Sequence, residues 1–195
     1  GLGDKLTTKL CYVELPFSID PGAAGSLDEY VFSANGLFDP NISGTGHQPG
    51  GFDQIMSFFD HYVVTGSKMT VEFRSNDTTY PAICTLRLSD TPTESVDVRA
   101  VIENGRSKWK QMDNASQAAG SCKLSMACNP NTFLGRKDPF SDPDLKGNNS
   151  SNPVEGAYWM VGAAPFTAVD AGSISCLAVI EYTVTFIEPK LMPFS

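Results

Sequence analysis

The sequence predicts an all-β antiparallel sandwich on two observations. Apolar and polar residues alternate with a period of two in short runs, and the links between runs are alternately short and long. A period of two places successive side chains on opposite faces of a strand. Eight runs qualify, at 6–17, 30–35, 61–74, 80–89, 107–112, 121–128, 157–162 and 174–186, and they are rich in β-branched and aromatic residues and separated by Gly, Pro, Asn and Asp clusters. In the last run Ile174, Cys176, Ala178, Ile180, Tyr182, Val184 and Phe186 share one face, and Glu181, Thr183 and Thr185 the other. The first face is expected to be core and the second partly wet.

The links 21–26, 75–79, 113–120 and 163–172 are short, whereas 36–60, 90–106 and 129–156 are long. This alternation suits an eight-stranded antiparallel jelly-roll β-sandwich, in which two four-stranded sheets face each other, every connection crosses between them and alternate links gather at opposite ends. Short links then make a narrow end and long links a broad one, a wedge suited to many copies converging on a symmetry axis. An immunoglobulin-like sandwich gives no reason for links to sort by length. Two short helices are expected inside long links, at 52–58 with Asp53 near its start, and at 95–103 with Gly105 as its stop. Neither is long enough to build a second layer.

With 195 residues the chain is sized for one such domain, expected to span 1–195. Its longest apolar stretch, 174–180, is interrupted by Ser175 and falls far short of the roughly 20 residues of a membrane-spanning helix, so no membrane insertion is expected. The net charge of −8 argues against a self-sufficient nucleic-acid binder, which needs clustered Lys and Arg to neutralise phosphates. Cys11, Cys84, Cys122, Cys128 and Cys176 are odd in number and scattered, without a CxxC pair, and are expected to be buried free thiols of a reducing compartment. The chain begins at Gly1 without a methionine and shows no signal peptide, so a preceding segment is expected.

The stretch Phe32-Ser33-Ala34-Asn35-Gly36-Leu37-Phe38-Asp39-Pro40, followed by Gly44-Thr45-Gly46-His47-Gln48-Pro49 and Gly51-Phe52-Asp53, carries a resemblance. It is similar to a block in the capsid (coat) proteins of circular Rep-encoding single-stranded DNA viruses, circovirus-like jelly rolls in which the block precedes a short helix and a strand like 61–69. The dense likeness covers residues 30–73. Related jelly rolls occur in small single-stranded RNA viruses and satellites. The resemblance implies a structural subunit that assembles with copies of itself into an icosahedral shell around a single-stranded DNA genome. It further implies a basic, disordered N-terminal arm that binds the genome and often carries a nuclear-import signal, a host-cell receptor, and a place in the virion after assembly in the nucleus. This sequence departs from that pattern in lacking the arm, which is therefore expected upstream of Gly1.

Lys5 and Lys9 on the first strand, and Lys68 and Arg74 on the third, are out of phase with Leu6, Leu10, Met69, Val71 and Phe73. If the two strands share a sheet, these four cations line one outer face, either a genome-facing patch or an ordinary solvated surface. Arg106, Lys108 and Lys110 alternate with Trp109, which reads as a half-exposed strand with its Trp buried.

Enzyme chemistry is not expected. The chain lacks the GxSxG, GxxxxGK[ST] and HExxH motifs, and its histidines, His47 and His61, read as hydrogen-bonding structural residues. No cofactor is expected. Asp138, Asp142 and Asp144 lie on a Pro-rich loop and are weak candidates for calcium, though without EF-hand spacing. The rival reading is a secreted jelly-roll module that binds carbohydrate or a receptor. It draws on the sequons at Asn41, Asn76, Asn114, Asn148 and Asn149, and is opposed by the odd cysteine count.

Overall fold

The computed structural model describes residues 3–23 and 25–191. Among the described residues there are eight strands: β1 (Lys5–Ile19), β2 (Asp28–Ser33), β3 (Phe59–Ser75), β4 (Ala82–Ser89), β5 (Ser107–Met112), β6 (Ser121–Cys128), β7 (Tyr158–Pro165) and β8 (Ile174–Pro189). They form two antiparallel four-stranded sheets, ordered β1-β8-β3-β6 and β2-β7-β4-β5. The fold is an eight-stranded jelly roll. Among the described residues no helix is long and apolar enough to cross a membrane.

The period-two reading assigns the core correctly where strands lie between neighbours. Ile174, Cys176, Ala178, Ile180, Tyr182, Val184 and Phe186 of β8 all face inward and are buried. They meet Phe73, Val71 and Met69 of β3, with Trp159, Val161 and Leu86 from the opposite sheet in the same cluster. At about 25 cal/mol per Å² of apolar surface, this cluster is the main source of stability. Trp159 also donates its indole N–H to Ser67 Oγ across the sandwich, at 2.9 Å.

One connection departs from the expected topology. β4 and β5 are neighbours in one sheet, so the link 90–106 does not cross the sandwich. It folds back over the outer face of β2-β7-β4-β5 and reaches the β1–β2 link, where Ser26 bridges Asp97 and Leu27 N–H donates to Val96 O at 3.0 Å. Helix α2 (Val98–Glu103) then returns the chain, capped by the Asp97 carboxylate on Arg99 N–H and followed by Gly105 at φ 74°. The link thereby covers outward-facing Leu27 and Ala164 with Val98 and Val101, a small second core. A six-residue helix is therefore enough to cover part of one sheet face.

The remaining long links close the other end. Helix α1 (Phe52–Met56) lies in the β2–β3 link, and α3 (Pro130–Phe133) with a 3-10 turn at Pro143–Leu145 lies in the β6–β7 link, neither of the latter being visible in the sequence pattern. Gly147 exchanges both backbone hydrogen bonds with Tyr62, and Asn131 donates to Val64 O at 3.0 Å. The β6–β7 link thus lies against β3, at the end where the outward-facing residues Val63, Thr185 and Ile187 are buried. Three short links are tied together at the opposite end: Ser75 N–H donates to Gly120 O, Asn76 N–H to Ser173 O, and Ala115 N–H to Asp77 O.

Candidate functional site

β1 and β3 share a sheet with β8 between them, and Lys5, Lys9, Lys68 and Arg74 all occupy outward positions on it. Lys123 of β6 joins them, so the face carries five cations, offset by Glu72 and Glu181 and, beside Lys5, by Asp4 and Glu188, on a chain of net charge −8. The cations form a stripe and not a cluster. Lys5 pairs with Ile187 and Arg74 with Ser175 on β8, a separation of about 40 Å at ~3.3 Å per residue. Lys5 sits 4.5 Å over the Phe140 ring, at the end covered by the β6–β7 link. Lys9 Nζ reaches Glu181 Oε1 at 2.9 Å and holds that carboxyl below its usual range, while Lys68 stands directly opposite Glu181 in the ladder. Arg74 and Lys123 line an open groove of about 480 Å³ with Pro16, Glu72 and Leu177.

The second cationic row is inverted relative to the sequence reading. Lys108 and Lys110 pair with Leu86 and Cys84, which face the core, whereas Trp109 pairs with Thr85 on the outer face and is 50% exposed. The reason is the edge. At the β5–β6 margin the inward positions of β5 meet the backbone of β6 and not apolar side chains. Lys108 Nζ donates to Ser125 O at 2.7 Å and Lys110 Nζ to Lys123 O at 3.2 Å, satisfying carbonyls that have no strand beyond them.

The block that carries the resemblance is built as a structural lock. Asn35 is buried, donates to Glu155 O at 2.9 Å and accepts from Ala157 N–H at 3.1 Å, tying the end of β2 to the start of β7. A Cβ on Gly36 would stand 2.3 Å from the Asn152 side chain, which itself bonds both backbone groups of Asp39. Pro40 O accepts from Ser33 N–H at 2.8 Å. A Cβ on Gly46 would meet Tyr12 Oη at 2.6 Å, and His47 stacks on the Tyr12 ring at 4.8 Å. The Gln48 side-chain amide lies against the Asp53 carboxylate, and Pro49 O accepts from Phe52 N–H. Gly51 precedes α1 at φ 86°, which a side chain would disfavour, and Phe52 packs edge-on against Tyr62. These polar groups are directed at the chain's own backbone and side chains, so the block closes one end of the sandwich.

The remaining expectations are redistributed. Asp142 caps the 3-10 turn and pairs with Arg136 at 3.0 Å, and Asp138 is exposed and accepts from Ser141 Oγ. Asp144 is partly buried, and among the described residues no group of three His, Cys, Asp or Glu converges. His61 pairs with Glu188, whereas His47 is exposed and stacks on the Tyr12 ring. Cys84 and Cys176 are buried, Cys122 and Cys128 partly so, but Cys11 is exposed on the outer face of an edge strand, against the expectation of burial. Asn41 is buried, with its amide nitrogen donating to Glu14 and Tyr30, so this sequon is closed to a glycan in the folded chain.

No family model matches the sequence, and no curated protein matches it. Among solved structures, the chain is similar to the BFDV capsid protein in a decameric crystal form, at 13% identity over 93% of this chain and 99% of that one, with a TM-score of 0.49. The semi-empty virus-like particle of the giant freshwater prawn Macrobrachium rosenbergii nodavirus gives 12% identity over 97% of each chain and a TM-score of 0.49. Turnip yellow mosaic virus gives 12% identity over 97% and 98%, with a TM-score of 0.48.

Proposed function

We propose that this chain is the shell domain of a small icosahedral capsid, a subunit that assembles with copies of itself around a single-stranded DNA genome. The observation that carries the reading is the block 32–53. It resembles capsid proteins of circular Rep-encoding DNA viruses, and here it serves as the closing element of a jelly roll, with Asn35, Gly36 and Gly46 each fitted to a partner from another part of the chain. The sorting of links by length supports the same reading, because a wedge is the shape that copies around an axis require.

In this reading the free part of the β1-β8-β3-β6 face, with Lys9, Lys68, Lys123 and Arg74, is turned toward the genome, and Lys5 lies at its covered margin. Most of the phosphate neutralisation falls to a basic arm upstream of Gly1, since Glu181 and Glu72 offset part of the charge on this face. The arm also brings nuclear assembly into the proposal.

The test is expression with the upstream coding sequence restored, followed by electron microscopy and identification of the copurified nucleic acid. Uniform closed particles holding single-stranded DNA are the expected result. Particles holding RNA would reassign the genome, and a monomer under all salt conditions, or one carrying glycans, would overturn the shell reading.

A further inference from the structure

Two of the chain's asparagines precede a glycine, Asn35-Gly36 in the closing block and Asn104-Gly105 at the end of α2. In such a pair the glycine nitrogen can attack the preceding carboxamide carbon, since no side chain shields it and the backbone turns freely. The fold treats the two pairs in opposite ways. Asn35 and Gly36 are buried, and hydrogen bonds fix both reacting groups. The Asn35 amide donates to Glu155 O at 2.9 Å and its oxygen accepts from Ala157 N–H at 3.1 Å, while the Gly36 N–H is committed to Ser33 Oγ at 2.7 Å. Asn104 and Gly105 are exposed, and a Cβ on Gly105 would meet nothing within 4 Å. Asn104 has φ −63° and ψ −21°, so ring closure requires ψ to leave its helical value. That rotation gives up one long bond, Gly105 N–H to Ile102 O at 3.4 Å, at the end of a six-residue helix. Helix ends open readily.

We propose that Asn104 is a site of spontaneous deamidation, converted to aspartate and isoaspartate in the folded chain, and that the fold preserves Asn35 from the same reaction. The Gly105 nitrogen bonds to Asn104 Cγ and gives up its proton. The carboxamide C–N bond breaks, and ammonia leaves with that proton. The cyclic imide then takes up one water at either carbonyl. Opening on one side gives aspartate, and on the other isoaspartate, in which the main chain runs through the former side chain and is one methylene longer. One water is consumed and one ammonia released, no electrons change hands, and the chain gains one negative charge.

That charge arises at the carbonyl end of α2 and next to Glu103, where both the helix and the neighbour disfavour it. The added methylene displaces Arg106, which lies 5.2 Å over the Phe133 ring and whose carbonyl accepts Leu88 N–H at 3.4 Å. Conversion therefore loosens the return of the β4–β5 link onto β5. The chemistry is independent of shell assembly.

The experiment holds the folded full chain in warm, mildly alkaline buffer and maps its peptides over time by mass spectrometry, with isoaspartate read by an isoaspartyl methyltransferase. A parallel sample is held in denaturant. In the folded chain Asn104 should convert faster than Asn35 by on the order of 100-fold, because the hydrogen bonds at Asn35 and Gly36 must open first. In denaturant the two should convert at similar rates. Native trypsin cleavage after Arg106 should rise in step with conversion, and Asn104→Gln should hold both at their starting values. An Asn104 that stays intact while its counterpart in denaturant converts, an Asn35 that keeps pace with it in the folded chain, conversion confined to Asn149, or unchanged cleavage after Arg106 would each overturn the proposal. The peptides are read on the unsubstituted chain, so the result does not depend on a variant folding.

Discussion

Glu29 and Arg87 meet in a bidentate ion pair, at 2.7 and 2.6 Å, on the outer face of β2-β7-β4-β5. The Glu29 side chain is fully buried and that of Arg87 nearly so. Glu29 also accepts Ser95 N–H at 2.7 Å, and Arg87 donates to Thr93 O, so the pair fastens the β4–β5 link to the sheet. Such a pair is a poor source of net stability but a costly one to break singly, because the survivor stays buried and uncompensated. Arg87→Met should destabilise by about 3–5 kcal/mol and open 91–97 to protease. Arg87→Lys should recover only part, since an ammonium cannot match the fork. Denaturant unfolding and limited proteolysis measure both, and a loss under about 1 kcal/mol for Arg87→Met would refute the anchor.

The diagonal reach of Glu29 depends on Gly162, which lies between Glu29 and Thr85 in the ladder. A Cβ there would stand 2.5 Å from Thr85 Oγ1 and 3.1 Å from both Glu29 Cγ and Leu27 Cδ1. Gly162→Ala is expected to cost about 1–3 kcal/mol by overpacking. Thr85 Oγ1 is buried without a hydrogen-bond partner, so Thr85→Ala in the Gly162→Ala background should restore stability by removing both the clash and the orphan hydroxyl. The double-mutant cycle reads this directly, and simple additivity would count against it.

The alternation of residues made β8 and the core of β3 legible, because a strand with neighbours on both sides sorts its side chains by face alone. It failed at the margins. Trp109 reads as buried only if an inward position meets an apolar partner, and at an edge strand it meets backbone. Nothing local in the sequence marks Glu29 and Arg87 as a buried pair, because only the fold brings the link 90–106 over them. The cationic stripe was legible by phase, but its neutralisation was not. Glu181 comes from a strand more than a hundred residues along the chain from Lys9 and Lys68, and only the sheet order brings them together.

Glu188 holds a left-handed backbone at φ 60°, accepts from Lys146 Nζ at 2.7 Å and pairs with His61. Lys146 first, and His61 after it, hold the Glu188 carboxyl below the usual carboxylate range. A lowered folded-state pKa means that the contribution is fully present above the unfolded value, near ~4.3, and is lost as pH falls through the folded one. The side chain is 44% exposed, so screening keeps the effect within about 1 kcal/mol. Glu188→Gln should therefore flatten part of the fall in unfolding temperature below about pH 4.5 while leaving the slope near neutrality unchanged. Equal acid sensitivity in the two proteins would show that the pair contributes nothing.

The tip of the β6–β7 link should accept an inserted peptide, within narrower limits than its composition suggests. The segment 146–152 looks free in sequence, yet Gly147 is buried against Tyr62, where a Cβ would stand 2.2 Å from the ring, and Asn152 is held by Asp39. Asn149, Ser150 and Ser151 remain exposed between these two ties. Added length there changes closure entropy by only about 0.6 kcal/mol per doubling. After Val71 the same insertion moves the rest of β3 out of register between β8 and β6, turning Phe73 outward. A protease-cleavable tag after Asn149 should leave a cooperative unfolding transition, and one after Val71 should abolish it. Particles, if the proposed shell function holds, add a sharper readout. The body of this link packs at the end of the cation-bearing face, through Phe140 on Lys5, so link and cations cannot all lie on opposite sides of the shell. Cleavage of the Asn149 tag in intact particles would place the tip outside, at the margin of the shell. Particles that form but resist cleavage would place the whole link inside with Lys5, and loss of particles from a still-folded chain would make the tip an interface between copies.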